Sequence, residues 1–142
     1  MTIERITSEN YQDFCDMLYW RAKGVEEKAP LEAVPDELND VNLYVYAARV
    51  DGRFVGWISL TYLPKISRVK KGYVYVDELW TAEKYRNRGI AKALMAKADE
   101  LKNMLNATGI RLYVNTKNPA AQHLYTACGF TGDDTAILME KE

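Results

Sequence analysis

Tyr73-Val74-Tyr75-Val76-Asp77-Glu78-Leu79-Trp80-Thr81 and, a short step on, Arg86-Asn87-Arg88-Gly89-Ile90-Ala91-Lys92 form the stretch from which the fold can be read. The first run is rich in β-branched and aromatic residues, as strands are. After the second, Ile90, Leu94, Ala98, Leu101 and Leu105 recur at three- and four-residue steps, the stripe of an amphipathic helix. A helix start leaves its first amide N–H groups without backbone partners, and the helix dipole adds partial positive charge there. Such an end binds anions. Gly89 removes a Cβ that an approaching ligand would meet, and Ala91 keeps the next position small. Arg86, Arg88 and Lys92 add full charges, with Asn87 between them. The junction therefore reads as a phosphate cradle. It is not a P-loop, because no Gly-x-x-x-x-Gly-Lys-Ser/Thr run exists. One glycine also falls short of the three that a dinucleotide fingerprint needs.

A second segment sharpens this reading. Ile110-Arg111-Leu112-Tyr113-Val114-Asn115 is strand-like and leads to Asn118-Pro119-Ala120-Ala121-Gln122-His123-Leu124-Tyr125-Thr126-Ala127-Cys128-Gly129-Phe130. Asn118 is a good N-cap, Pro119 suits the first helical position, and Gly129 ends a short helix. Together the two segments resemble the GNAT superfamily of N-acetyltransferases. Its cofactor motif, Arg/Gln-x-x-Gly-x-Gly/Ala after the fourth strand, is matched by Arg86 to Ala91. Its later motif, Asn-x-x-Ala-x-x-x-Tyr-x-x-x-Gly-Phe, is matched by Asn118, Ala121, Tyr125, Gly129 and Phe130. The resemblance implies an α+β (α/β) fold with a mixed, mostly antiparallel sheet of about seven strands and about four flanking helices. It also implies that strands Tyr73–Thr81 and Ile110–Asn115 splay apart to admit the pantetheine arm of acetyl-CoA. The implied activity is direct acetyl transfer to a primary amine in a ternary complex.

Composition sets the outer bounds. At 142 residues the chain suits one domain, 1–142, with a full core. Its 48% hydrophobic and 27% charged content is that of a globular chain. A net charge of −1 makes no whole-chain case for nucleic acid. Cys15 and Cys128 are too few for a secreted disulfide scaffold, and the N-terminus lacks a signal-like apolar run, so a cytoplasmic location is expected. No apolar stretch approaches a membrane span. One histidine and two separated cysteines argue against a metal site. Monomer and homodimer both remain open.

Along the chain, Thr2–Ile6 alternates like a strand, and Ser8 offers an N-cap for a helix with Tyr11, Phe14, Cys15, Leu18 and Tyr19 on one face. Between Trp20 and Asn42, Gly24, Pro30 and Pro35 predict a loop and one short helix ending near Leu38. Leu43–Val50 and Phe54–Leu63 read as strands joined at Asp51-Gly52, a hairpin signal. The long helix should run from about Arg88 to Leu105, its crossover making Tyr73–Thr81 and Ile110–Asn115 parallel. A last hairpin is expected around Gly132-Asp133-Asp134.

Acetyl transfer needs a neutral amine, although a lysine-like amine has a pKa of about 10.4. Asp77 and Glu78, where the family often places an acid, are the candidate bases, directly or through water, with water alone as the alternative; neighbours on a strand face opposite sides, and Glu78 is preferred. By resemblance, the backbone of Leu79, Trp80 and Thr81 meets the pantetheine amides and the thioester oxygen, and Asn118 also hydrogen-bonds the pantetheine. Tyr125 matches the tyrosine that the family sets near the thioester sulfur, where it protonates the leaving thiolate. His123 lies two positions from Tyr125 on a helix and so on a different face; it reads as a surface or packing residue. Cys128 reads as packing. Tyr113 replaces a glutamate common in relatives that acetylate ribosomal-protein N-termini, which argues against that substrate class.

The acceptor is read from charge. Residues 20–42 hold six acids against three bases, an acidic wall suited to a cationic amine such as a polyamine, aminoglycoside or lysine side chain, although solvated helix faces explain the same surplus. The basic run Lys65-Ile66-Ser67-Arg68-Val69-Lys70-Lys71 reads as a solvated loop. Two alternatives stand beside this reading: a protein lysine or N-terminal acetyltransferase, and a non-catalytic acyl-CoA-binding module.

Overall fold

Val74 and Val76 are buried on one side of their strand while Tyr73 and Tyr75 lie on the other, and the sheet is organised around that alternation. In the computed structural model, which describes every residue except Ser67, Lys70 and Asp133, five strands form one sheet in the order β1-β2-β3-β4-β5. They are β1 (Thr2–Arg5), β2 (Leu43–Val50), β3 (Arg53–Pro64), β4 (Gly72–Thr81) and β5 (Gly109–Leu112). All neighbours pair antiparallel except β4 and β5, which are parallel, as the intervening helix requires.

Three α-helices flank the sheet among the described residues: α1 (Tyr11–Lys23), α2 (Ile90–Leu105) and α3 (Pro119–Ala127). The predicted stripe of α2 buries Ile90, Leu94, Ala98 and Leu101, together with Met95, against Ile58, Leu60, Val74 and Val76. On the opposite face Phe14 and Met17 of α1 pack with Val45, Ala47, Phe54 and Trp57. Each such buried aliphatic or aromatic side chain contributes about 1.5–3 kcal/mol, so α2 is held to the sheet more by its stripe than by helix propensity. α3 sits at the rim, where Tyr125, Cys128 and Phe130 pack against the α2 side of the core.

Several expectations are corrected. Among the described residues there are five strands and three α-helices rather than about seven and about four. The final hairpin is not seen: Asp133 lies outside the described residues, and among the described ones no strand follows β5. Ile137, Leu138 and Met139 stand 87%, 83% and 87% exposed, too short an apolar run to bury a face of their own. The short helix near Leu38 is one 3-10 turn, Asp36–Asn39. The α1 N-cap is Asn10, not Ser8; its side chain accepts from Thr7 N–H at 2.8 Å and donates to the Arg5 carbonyl at 3.0 Å. The expected strand to Asn115 stops at Leu112 because Asn115 starts a turn, its Oδ1 accepting from Lys117 N–H at 2.8 Å. Ser67 and Lys70 of the basic loop fall outside the described residues.

Two irregularities position the site. On β4, Val76 pairs with Leu60 of β3 but Glu78 pairs with the adjacent Ser59, so Asp77 is the extra residue of a β-bulge. On the other side of β4, pairing to β5 ends at Val76 opposite Leu112. From Asp77 to Thr81, β4 therefore runs on without β5, and the two parallel strands part at the bulge.

Candidate functional site

Where β4 and β5 part, a cleft of about 640 Å³ opens between the end of β4, the start of α2 and one face of α3. Its wall takes Leu79, Trp80 and Thr81 from β4, Arg86 to Lys92 except Arg88 from the turn into α2, and Asn118 and Tyr125 from α3. Residues predicted from two distant segments thus meet in one concavity. Arg88 is outside the lining, its guanidinium 5.1 Å from the centroid of the Tyr85 ring.

The cradle end is built from backbone. Gly89 is the N-cap of α2 at φ 79, a left-handed conformation that costs a side-chain-bearing residue about 1–2 kcal/mol. Asn87 also holds positive φ, at 61. The first intrahelical bond runs from Ala93 N–H to the Gly89 carbonyl at 3.0 Å, and no side chain caps the helix. The N–H groups of Ile90, Ala91 and Lys92 are thus the orphan donors of a helix start. A Cβ on Gly89 would meet no atom within 4 Å, so the space before those donors is open. Arg86 has a structural part: its Nε donates to the Thr81 carbonyl at 3.0 Å and fixes the turn. Thr81 lines the cleft, but its hydroxyl is turned inward beside Gly56, buried and without a partner among the described residues. Orphan helix amides and flanking cations fit a phosphorylated cofactor.

Asp77 and Glu78 are both exposed and neither lines the cleft. The expectation that they face opposite sides is overturned, because the bulge places both toward α1. Asp77 accepts a hydrogen bond from Thr61 Oγ1, and Glu78 meets Arg21 of α1 at 3.3 Å. That ion pair is about half exposed and so contributes about 0–1 kcal/mol at most. Trp80 links the two environments: it lines the cleft and packs with the α1-side cluster.

On α3, the Asn118 side chain caps its own helix, accepting from Ala121 N–H at 3.1 Å, which leaves its amide donor for a ligand. Tyr125 is half-buried, its ring edge-on to Phe130 at 6.1 Å. Burial pushes its phenol above the usual value, with Cys128 adding to the effect, so it stays protonated through neutral pH. His123 is exposed, and Cys128 is a partly buried free thiol raised by burial. Tyr113 stands 80% exposed and stacks on Tyr75 at 6.4 Å. The acidic segment spends Glu26 on ion pairs with Arg53 and Lys84.

Sequence reasoning missed Tyr85, Ala120 and Leu124 on the wall, and Gly56 behind it. A Cβ on Gly56 would lie 2.9 Å from the Trp80 carbonyl and 3.3 Å from Ile90, so this glycine lets α2 close onto the end of β4. A glycine inside a strand of large residues is the signal for such a close approach. Among the described residues, no His, Cys, Asp and Glu cluster could hold a metal ion, and no helix is long and apolar enough to cross a membrane.

The Acetyltransferase (GNAT) family profile matches residues 8–130. An acetyltransferase of Agrobacterium fabrum, Atu2258, is 35% identical over 66 residues, 46% of this chain and 47% of that protein. Streptothricin acetyltransferase of Escherichia coli is 28% identical over 98 residues, 69% of this chain and 53% of that protein. The chain thus spans about half the length of the curated relatives it matches. Among solved structures, the aminoglycoside N-acetyltransferase AAC(6')-Iy in complex with CoA superimposes with a TM-score of 0.79, covering 99% of both chains at 17% identity. At that identity the likeness is one of fold.

Proposed function

The chain belongs to the Acetyltransferase (GNAT) family, and we propose that it moves an acetyl group from acetyl-CoA to a primary amine of a small cationic acceptor, both reactants being bound at once. The observation that carries the reading is the cleft that joins the open amides of α2, the end of β4 beyond β5, and Tyr125. Acetyl-CoA supplies the acyl group already activated as a thioester. The Ile90, Ala91 and Lys92 amides, with Arg86 and Lys92 beside them, hold the pyrophosphate. The Leu79–Thr81 backbone and the Asn118 amide take the pantetheine, and a β4 N–H faces the oxygen on which charge develops. Glu78, with Asp77 on the same face, receives the proton of the incoming amine. Tyr125 gives one to the departing sulfur.

A small cationic acceptor is supported by the exposed carboxylate pair at the end of β4 and by the names of two similar proteins, one acting on streptothricin and one on aminoglycosides. The same reading treats residues 1–142 as one domain and places it in the cytoplasm, in keeping with two free thiols. The deciding experiment is a free-thiol assay with acetyl-CoA and a panel of spermidine, aminoglycosides, amino acids and peptides. Release with the polycations supports the proposal; release with peptides alone moves the activity to proteins. Saturable acetyl-CoA binding without turnover on any amine makes the chain a binding module.

The base assignment has its own test. Glu78→Gln is expected to lower turnover about tenfold, below the span of a sole positioned base because Asp77 shares its face. Acetyl-CoA affinity should stay unchanged in calorimetry. If Asp77→Asn shows that loss and Glu78→Gln does not, the roles are reversed.

A further inference from the structure

Arg21, in the last turn of α1, reaches over to β4. Its guanidinium lies 3.3 Å from Glu78 Oε2 and 5.8 Å from the centroid of the Trp80 ring. A carboxylate and an indole face turned toward one point form a seat for a cation. Trp80 is held in place by Trp20, whose ring meets it edge-on at 6.1 Å, and it also lines the cleft. The seat therefore borders the cleft through Trp80.

The occupant is held loosely. Arg21 and Glu78 side chains are 42% and 48% exposed, so water competes well for both. Two neighbouring cations are bound differently. Arg53 and Lys84 both pair with Glu26 and lie over the Trp20 ring at 4.9 Å and 5.5 Å, tied down by a shared carboxylate. Arg21 contacts the one acid that the proposed reaction needs free.

We propose that Arg21 is a stand-in for the acceptor: its guanidinium fills the Glu78–Trp80 seat in the free protein, and the ammonium of a cationic amine displaces it on binding. Arg21 thereby sets acceptor affinity by competition and keeps Glu78 paired until an amine arrives. This inference rests on the acetyl-transfer reading above and names a residue that tunes its acceptor end. Arg21 is a positioning residue, since it acts through Glu78.

The test compares wild type, Arg21→Gln and Arg21→Lys. Spermidine binding is measured by calorimetry in the presence of CoA, and steady-state turnover is measured separately with acetyl-CoA. Removing the competing charge should tighten spermidine binding about three- to fivefold, the scale of an exposed ion pair. The spermidine KM should fall equally, with kcat within twofold and the acetyl-CoA KM unchanged. Arg21→Lys, which keeps the charge, should behave as wild type. Unchanged or weaker spermidine binding in Arg21→Gln overturns the seat, as does the same tightening in Arg21→Lys. Tighter binding without turnover in any variant upholds the seat and removes the acetyl-transfer reading. Turnover with no change in spermidine affinity does the reverse.

Discussion

Tyr125→Phe is expected to lower turnover by roughly 10- to 1000-fold while acetyl-CoA affinity stays within a few-fold, a loss at or just below the range for positioned acid catalysis. The thiolate released from a thioester has a pKa of about 8.5, so it leaves more readily when a proton is at hand. Tyr125 enters that step protonated, as a phenol is at neutral pH, and burial raises its pKa further. Phenylalanine retains the ring and its edge-on contact with Phe130, so the packing of α3 should survive. Single-turnover measurements isolate the chemical step. A variant with full activity under those conditions takes Tyr125 out of the mechanism, and one with lost cofactor affinity gives it a binding role instead.

Gly89→Glu should weaken acetyl-CoA binding by about 100-fold or more. A carboxylate set about 4 Å from a pyrophosphate charge costs about 4 kcal/mol at an effective dielectric of 20, and discounting this for the open side of the cleft still leaves a loss of that order. The new side chain meets no protein atom at its Cβ, so nothing holds its carboxylate away from the start of α2. The positive φ adds a folding cost of about 1–2 kcal/mol that has nothing to do with the ligand. Gly89→Ala carries the same strain without the charge, so urea unfolding and calorimetry on both variants separate the two effects. Near-normal affinity in Gly89→Glu would rule out the cradle.

Much of this site can be read from the chain because its parts follow local rules. The α2 stripe, the Asp51-Gly52 hairpin and the Asn118-Pro119 helix start each depend on a few adjacent residues, and the structure shows all three within a residue or two of the expected places. The bulge is harder, because register belongs to β3 as much as to β4. Its trace is still present: Val74 and Val76 are two apart, but the next residue on that face, Leu79, comes three later. A strict alternation through Asp77 and Glu78 hides that slip and sends the two carboxylates to opposite faces. Tyr85 and Gly56 enter the site through tertiary contacts that no short window contains.

The parting of β4 from β5 also divides the sheet into regions of unequal cohesion. Val74 and Val76 lie between two hydrogen-bonded neighbours and beneath α2, so their amides open only with the whole domain. Leu79, Trp80 and Thr81 have β3 alone, and their amides exchange through smaller, cheaper openings. A ligand that spans from β4 to α3 ties the loose region to the firm one. Occupancy of the cleft then raises the melting temperature with the logarithm of ligand concentration and slows exchange at the strand end and at α3 together. The same interruption that opens the cleft makes whatever binds there part of what holds β4 and α3 together.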